Sequence, residues 1–157
     1  MANGVPGLTK DIFINEVRGF MRDFPELNRL ISGEESSDRM IEYCTWLAID
    51  EWNTTPPLAG VSLQTFPSRS ILLYLTIVHL LTSVGILKSR NRFNYNDGGF
   101  SVQTEIQDEL YLRWAQMLRS QVAPQVRQLK TAINIEGGWG AGVGSEYGWI
   151  HGWFGLS

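Results

Sequence analysis

Cysteine and histidine are scarce in this chain of 157 residues, which has one cysteine, Cys44, and two histidines, His79 and His151. A single cysteine excludes an intramolecular disulfide. No Cys/His cluster has the spacing of metal ligands, and no glycine-rich loop has the fingerprint of a phosphate or dinucleotide site. The sequence therefore predicts no metal and no cofactor.

The groups that general acid–base catalysis needs are also few and poorly placed. His79 lies in the most apolar segment, which favours a core histidine with a satisfied partner over a base. The neighbouring carboxylates Glu34–Glu35, Asp50–Glu51 and Asp108–Glu109 occupy adjacent helical positions, which do not face each other, and are predicted to be solvated. The sequence predicts no catalytic residue and no enzyme. A small cell-wall hydrolase with an aromatic tail is the enzymatic alternative.

A strongly basic balance, which is typical of nucleic-acid-binding proteins, is absent. The net charge is −3. Residues 1–60 carry five Lys/Arg and ten Asp/Glu, whereas residues 61–157 carry eight and six. Lys88, Arg90 and Arg92 alternate along the chain and are candidate contacts to phosphate or to an acidic partner. Ordinary solubility and protection of a strand edge are the alternative.

Long apolar runs are missing except for Ile71–Leu87, which has 17 uncharged residues between Arg69 and Lys88. This length is at the short limit for a membrane span of about 20 residues. Polar residues within the run favour a central helix that is buried on all sides, with no membrane partner. A small membrane-associated helical protein with Ile71–Leu87 in lipid is the alternative. The N-terminus has no signal-peptide pattern.

Apolar residues at helical spacing predict a mainly α, four-helix bundle-like domain over residues 1–136. The predicted helices span about 9–24, 38–52, 68–87 and 104–135, with caps at Thr9 and at Ser36 or Ser37. Pro124 is expected to kink or divide the last helix. The predicted inner residues are Ile12, Phe13, Val17, Phe20, Met21 and Phe24 in the first helix, Met40, Ile41, Cys44, Leu47 and Ala48 in the second, and Ile106, Leu110, Trp114, Met117, Leu118, Val122, Val126, Leu129 and Ile133 in the fourth.

The segment at about 90–104 changes to the alternation of a β-hairpin. With Asp97–Gly98 as a two-residue turn, Tyr95 is predicted to lie opposite Phe100, and Phe93 opposite Val102. An isolated hairpin is marginally stable in water, so this one is expected to project and contact something. The candidate contact residues are Tyr95, Asp97, Gly98, Gly99 and Phe100.

Residues 137–157 combine eight of the sixteen glycines with three of the six tryptophans, and Glu146 is their only charged side chain. Glycine at this density disfavours a helix, and five aromatic rings cannot form a core of their own. The pattern predicts a long extended arm that docks on a neighbouring subunit or partner, with wrapping over its own domain and disorder as alternatives. The candidate docking residues are Trp139, Tyr147, Trp149, Trp153 and Phe154.

A helical domain, the segment 92–99 before the last long helix, and a glycine-rich C-terminus with Ser145–Glu146–Tyr147 together resemble the head–tail connector (neck or adaptor) proteins of tailed bacteriophages. The resemblance implies a structural virion protein that is assembled in the host cytoplasm. It implies a twelve-membered ring below the portal protein, with the C-terminal extension docked into the portal assembly. The ring would continue the channel through which double-stranded DNA passes, without sequence-specific binding. It would also carry the tail or a second neck protein.

Overall fold

The computed structural model describes the backbone of residues 8–28, 33–91, 95–97, 100–102 and 107–153, and the side chains of 8–28, 33–91 and 108–137. The described elements are α1 (Lys10–Met21), α2 (Asp38–Thr54), α3 (Arg69–Arg90), β1 (Tyr95–Asp97), β2 (Phe100–Val102) and α4 (Gln107–Trp153). The prediction of a mainly helical protein is confirmed.

Hydroxyl side chains begin the first three helices. Thr9, Ser37 and Ser68 each accept a hydrogen bond from the backbone amide three residues later, at 3.3–3.4 Å. Each hydroxyl satisfies an amide that has no partner inside the helix. Helix α1 ends at Met21, and Arg22, with a left-handed backbone (φ 55°), forms its C-cap. The helix therefore ends before Phe24–Pro25, where the sequence predicted its end.

Helix α3 is the centre of the fold. It packs mainly against α4 and α2, and Leu72, Ile77 and Leu80 are almost completely buried. By length and composition α3 could cross a membrane, but half of its most apolar window is buried inside the fold. The central position predicted for this helix agrees with its packing, but the helix is not buried on all sides, since Ile86 and Leu87 are about half exposed.

The buried face of α4 differs from the predicted one. Leu110, Trp114, Met117 and Ile133 are exposed, although all four were predicted to point inward. Val122 and Val126 are buried as predicted, whereas Asp108, Ala115 and Lys130 are buried although the sequence pattern did not place them inside.

Helices α3 and α4 pack closely at Gly85. A Cβ added to Gly85 of α3 would lie 3.0 Å from the side chain of Leu112. The absence of a side chain at Gly85 therefore makes room for Leu112 of α4. Ile12, Phe20 and Met40, also predicted to be inside, are exposed on α1 and α2.

The last two segments differ from the sequence prediction in their backbone. Strands β1 and β2 pair Tyr95 with Val102 and Asp97 with Phe100, so the pairing differs from the predicted one of Tyr95 with Phe100. This pairing leaves two glycines, which both tolerate positive φ, between the strands. Helix α4 passes Pro124 without being divided and continues to Trp153, whereas extended chain was predicted from Gly137.

Candidate functional site

A buried arginine connects α1 to the start of α2. The Arg18 side chain is 5% exposed, and its guanidinium pairs with Asp23 at 3.5 Å, Glu34 at 2.7 Å and Asp38 at 2.6 Å. Asp23 also accepts hydrogen bonds from the backbone amides of Glu35 and Ser36 and from an asparagine side chain. Because every one of these groups lies on or between α1 and α2, the cluster fixes the connection between the two helices.

The environment of Asp23 favours its charged form. Burial by itself raises the pKa of this carboxyl, but the hydrogen bonds from Glu35, Ser36 and Asn28 and the charge of Arg18 outweigh burial, so that the pKa is lowered. A carboxylate held in this way has a structural role, because its lone pairs already have partners.

Two further carboxylates link α4 to the rest of the bundle. Glu51 accepts from His79 Nε2 at 2.8 Å and from Arg119 at 2.6 Å, which joins α2, α3 and α4. Glu35 accepts from the Tyr111 hydroxyl at 3.1–3.2 Å and pairs with Lys88 at 3.1 Å. Burial, together with Glu35, raises the pKa of Tyr111 to about 12.

The carboxylates that were predicted to be solvated are therefore partly in structural contacts. Glu34, Glu35 and Glu51 form ion pairs, and Asp108 is buried. Glu34 and Glu35 lie before α2 begins, and both form contacts. In the two helical pairs, Glu51 contacts other helices and Asp108 is buried, while Asp50 and Glu109 are exposed. His79 has the satisfied partner that was predicted for it, although its side chain remains 21% exposed.

The contact between Glu51 and His79 predicts a defined dependence on pH. The hydrogen bond from His79, followed by Arg119, lowers the pKa of Glu51 below its ordinary value of 4.5 in spite of burial. A lowered folded-state pKa contributes stability that is present above the unfolded value and is lost as pH falls through the folded value. We expect Glu51→Gln to lower Tm at neutral pH, with a deficit that shrinks below about pH 4.5.

Thermal unfolding between pH 3 and pH 7, followed by circular dichroism, measures this effect. Glu109→Gln is the matched control, because it removes the same charge from an exposed position on α4. A deficit for Glu51→Gln that stays constant over this range would show that the carboxylate charge does not stabilise the contact.

Lys130 of α4 is buried, and its ammonium group lies at the C-terminal end of α2. It is 3% exposed, and its ammonium donates to the backbone carbonyls of Trp52 and Thr55 and lies 5.3 Å from the centre of the Trp52 ring. A cation is favourable there because the last carbonyls of a helix lack partners and carry partial negative charge. Burial lowers the pKa of Lys130.

Apolar side chains form two outward-facing surfaces. On α4, Leu110, Trp114 and Met117 are each about half exposed and lie on one side of the helix at i, i+4 and i+7; we call these three the α4 surface. On α2, Tyr43 and Trp46 are each 59% exposed and lie away from the buried face of the helix; we call these two the α2 surface. Grouped exposed apolar residues of this kind are typical of interaction sites.

The predicted basic contacts are only partly available. Lys88 and Arg90 belong to α3, which extends three residues past its predicted end at Leu87, so they do not form a strand edge. The ammonium of Lys88 pairs with Glu35 and lies 5.9 Å from the centre of the Tyr111 ring, whereas Arg90 is exposed. Arg92 lies outside the described residues.

The predicted hairpin and arm residues fall largely outside the described side chains. Tyr95, Asp97 and Phe100 lie on β1 and β2, and Gly98 and Gly99 lie outside the described residues. In the arm, the backbone of α4 includes Trp139, Tyr147, Trp149 and Trp153, and Phe154 lies outside the described residues.

The described residues contain no group of three or more His, Cys, Asp or Glu that could hold a metal ion. Burial raises the pKa of Cys44 to about 11, so its thiol is a poor nucleophile at neutral pH. Comparisons with models of protein families, with curated proteins and with solved structures find no match. The α2 surface and the α4 surface are therefore the candidate interaction sites among the described residues.

Proposed function

We propose that this protein is a structural subunit that assembles into a ring, as a head–tail connector of a tailed bacteriophage. In this role it would bind the portal protein, carry the tail or a second neck protein, and continue a channel through which double-stranded DNA passes. It would act in the virion after assembly in the host cytoplasm. Twelve-fold symmetry follows the resemblance described above.

The observation that carries this proposal is the presence of two different apolar surfaces on one small domain. A ring closes through heterologous contacts, in which one surface of each subunit meets a different surface of the next. The α2 surface and the α4 surface supply such a pair, and each presents a tryptophan. Tryptophan is enriched among residues that dominate binding energy.

The pairing of several basic side chains with carboxylates of the same chain agrees with a passive channel. Arg18, Lys88 and Arg119 are each paired with carboxylates of the same chain. Groups neutralised in this way attract phosphate weakly, and a channel that held DNA strongly would impede its passage.

Negative-stain microscopy and sedimentation of the full chain test the proposal, and closed rings are expected. Trp114→Asp should weaken assembly by at least about 2 kcal/mol per contact, because it places a charge in the centre of the α4 surface. Gln116→Asp is the matched control on an exposed position of the same helix and should assemble normally. A monomeric full chain, or equal effects of the two substitutions, would overturn the proposal.

A further inference from the structure

A cavity of about 370 Å³ lies between the C-terminal end of α2, the loop that follows α2, and α4. Its lining is mostly apolar, and two polar side chains, Lys130 and Asn134, lie on its α4 side. Gly137 lies at its edge, and a Cβ added there would meet no atom within 4 Å. The apolar lining is formed by Trp52, Pro57, Leu58, Ala59, Val61, Pro67 and Ile133.

Lys130 gives this cavity a charge preference. An ammonium group has three donors, and the carbonyls of Trp52 and Thr55 accept two hydrogen bonds from it. Among the described residues, no carboxylate forms an ion pair with Lys130. A buried cation without a counter-charge is costly, so a carboxylate that enters the cavity would be stabilised. The preferred ligand therefore combines a carboxylate with aromatic or aliphatic groups.

We propose that the cavity binds the segment 145–149 of a second copy of this chain, with its Glu146 carboxylate on Lys130. This segment has the required chemistry, because Glu146 is the only charged side chain of residues 137–157 and is followed directly by Tyr147 and closely by Trp149. The inference rests on the proposed assembly of several subunits and names the contact that the C-terminal segment makes in it.

The geometry of α4 favours a second copy over the same chain. Lys130 and Glu146 lie on one continuous helix, 16 residues apart. At about 1.5 Å per residue this corresponds to about 24 Å, which is further than the two side chains reach together. If the segment 145–149 binds the cavity of a neighbouring subunit instead, α4 can remain a continuous helix.

Disulfide trapping between differently tagged full chains tests the contact. One chain carries Asn134→Cys at the cavity and the other carries Ser145→Cys beside Glu146. Cys44 is buried and does not compete. We expect a disulfide between the two tagged chains on mild oxidation, and none when Gln116→Cys, an exposed position elsewhere on α4, replaces Asn134→Cys.

A charge test complements the trapping experiment and leaves the core unchanged. Glu146→Gln should weaken assembly by about tenfold or more in sedimentation, since a charge-assisted hydrogen bond is lost. Glu136→Gln removes the same charge from an exposed position of α4 and should have no effect.

The outcomes separate this inference from the proposed function. Normal rings without the disulfide, or without an effect of Glu146→Gln, would overturn the inference while the ring proposal stands. A disulfide inside a single monomeric chain that carries both cysteines would also overturn it, because the segment would then bind its own domain. A full chain that sediments only as a monomer would overturn both.

Discussion

Replacing Arg18 with methionine is expected to destabilise the fold by about 3 kcal/mol. The substitution removes the cation from the cluster between α1 and α2 and leaves Asp23, whose side chain is 9% exposed, without its counter-charge. The expected loss is at the lower end for a broken buried pair, because Asp23 keeps its hydrogen bonds from Glu35, Ser36 and Asn28. Tm should fall by roughly 6–12 °C for a chain of this size.

Chemical unfolding followed by circular dichroism at neutral pH measures the change in the free energy of unfolding. Arg69→Met is the control, because Arg69 pairs with Glu16 at the surface, where the two side chains are 43% and 29% exposed. Such a pair contributes about 0–1 kcal/mol. If the two substitutions had equal effects, the Arg18 cluster would not be the contact that fixes the first two helices.

Trp52→Ala is expected to cost about 3–5 kcal/mol, which is the range for truncation of a large buried aromatic residue. The Trp52 side chain is 1% exposed, and its ring centre lies 4.9 Å from that of Phe66. Its removal would leave a hole beside the core and would also remove the ring that lies beneath the Lys130 ammonium. Both losses act at the end of α2, so the whole α2–α4 contact should weaken.

Trp46→Ala provides a close comparison, because it makes the same substitution six residues earlier on the same helix. Trp46 is 59% exposed, and its replacement should change the free energy of unfolding of the monomer by less than about 0.5 kcal/mol. Urea unfolding of the two variants, followed by circular dichroism, measures the free energy of unfolding of each. A large effect at Trp46 with a small one at Trp52 would mean that the assigned core face of α2 is wrong.

The beginnings of the first two helices were predictable because they depend on neighbouring residues. The hydroxyls of Thr9 and Ser37 cap the helices that follow them, as the sequence indicated. An N-cap involves only a side chain and the amides of the next turn, so its chemistry is present in a few consecutive residues. The central position of α3 was equally predictable from its apolar composition.

Arg18 and the α4 surface were not predictable in the same way. Of its three carboxylate partners only Asp23 is close in sequence, and Asp38 lies 20 residues further along the chain, so no local pattern joins it to Arg18. Leu110, Trp114 and Met117 share a face with helical spacing, and the pattern alone did not distinguish an inner stripe from an outward one.

Local interactions and composition were enough to predict a mainly helical chain, the caps of its first two helices, and α3 as the central helix. Which face of α4 is buried depends on its packing against α3, which includes the close contact of Leu112 with Gly85. The tertiary structure also decided that Lys130 is enclosed at the end of α2, 75 residues from the Thr55 carbonyl that it contacts. Contacts between residues so distant in the chain arise only when the helices pack, and the candidate binding surfaces of this protein depend on such contacts.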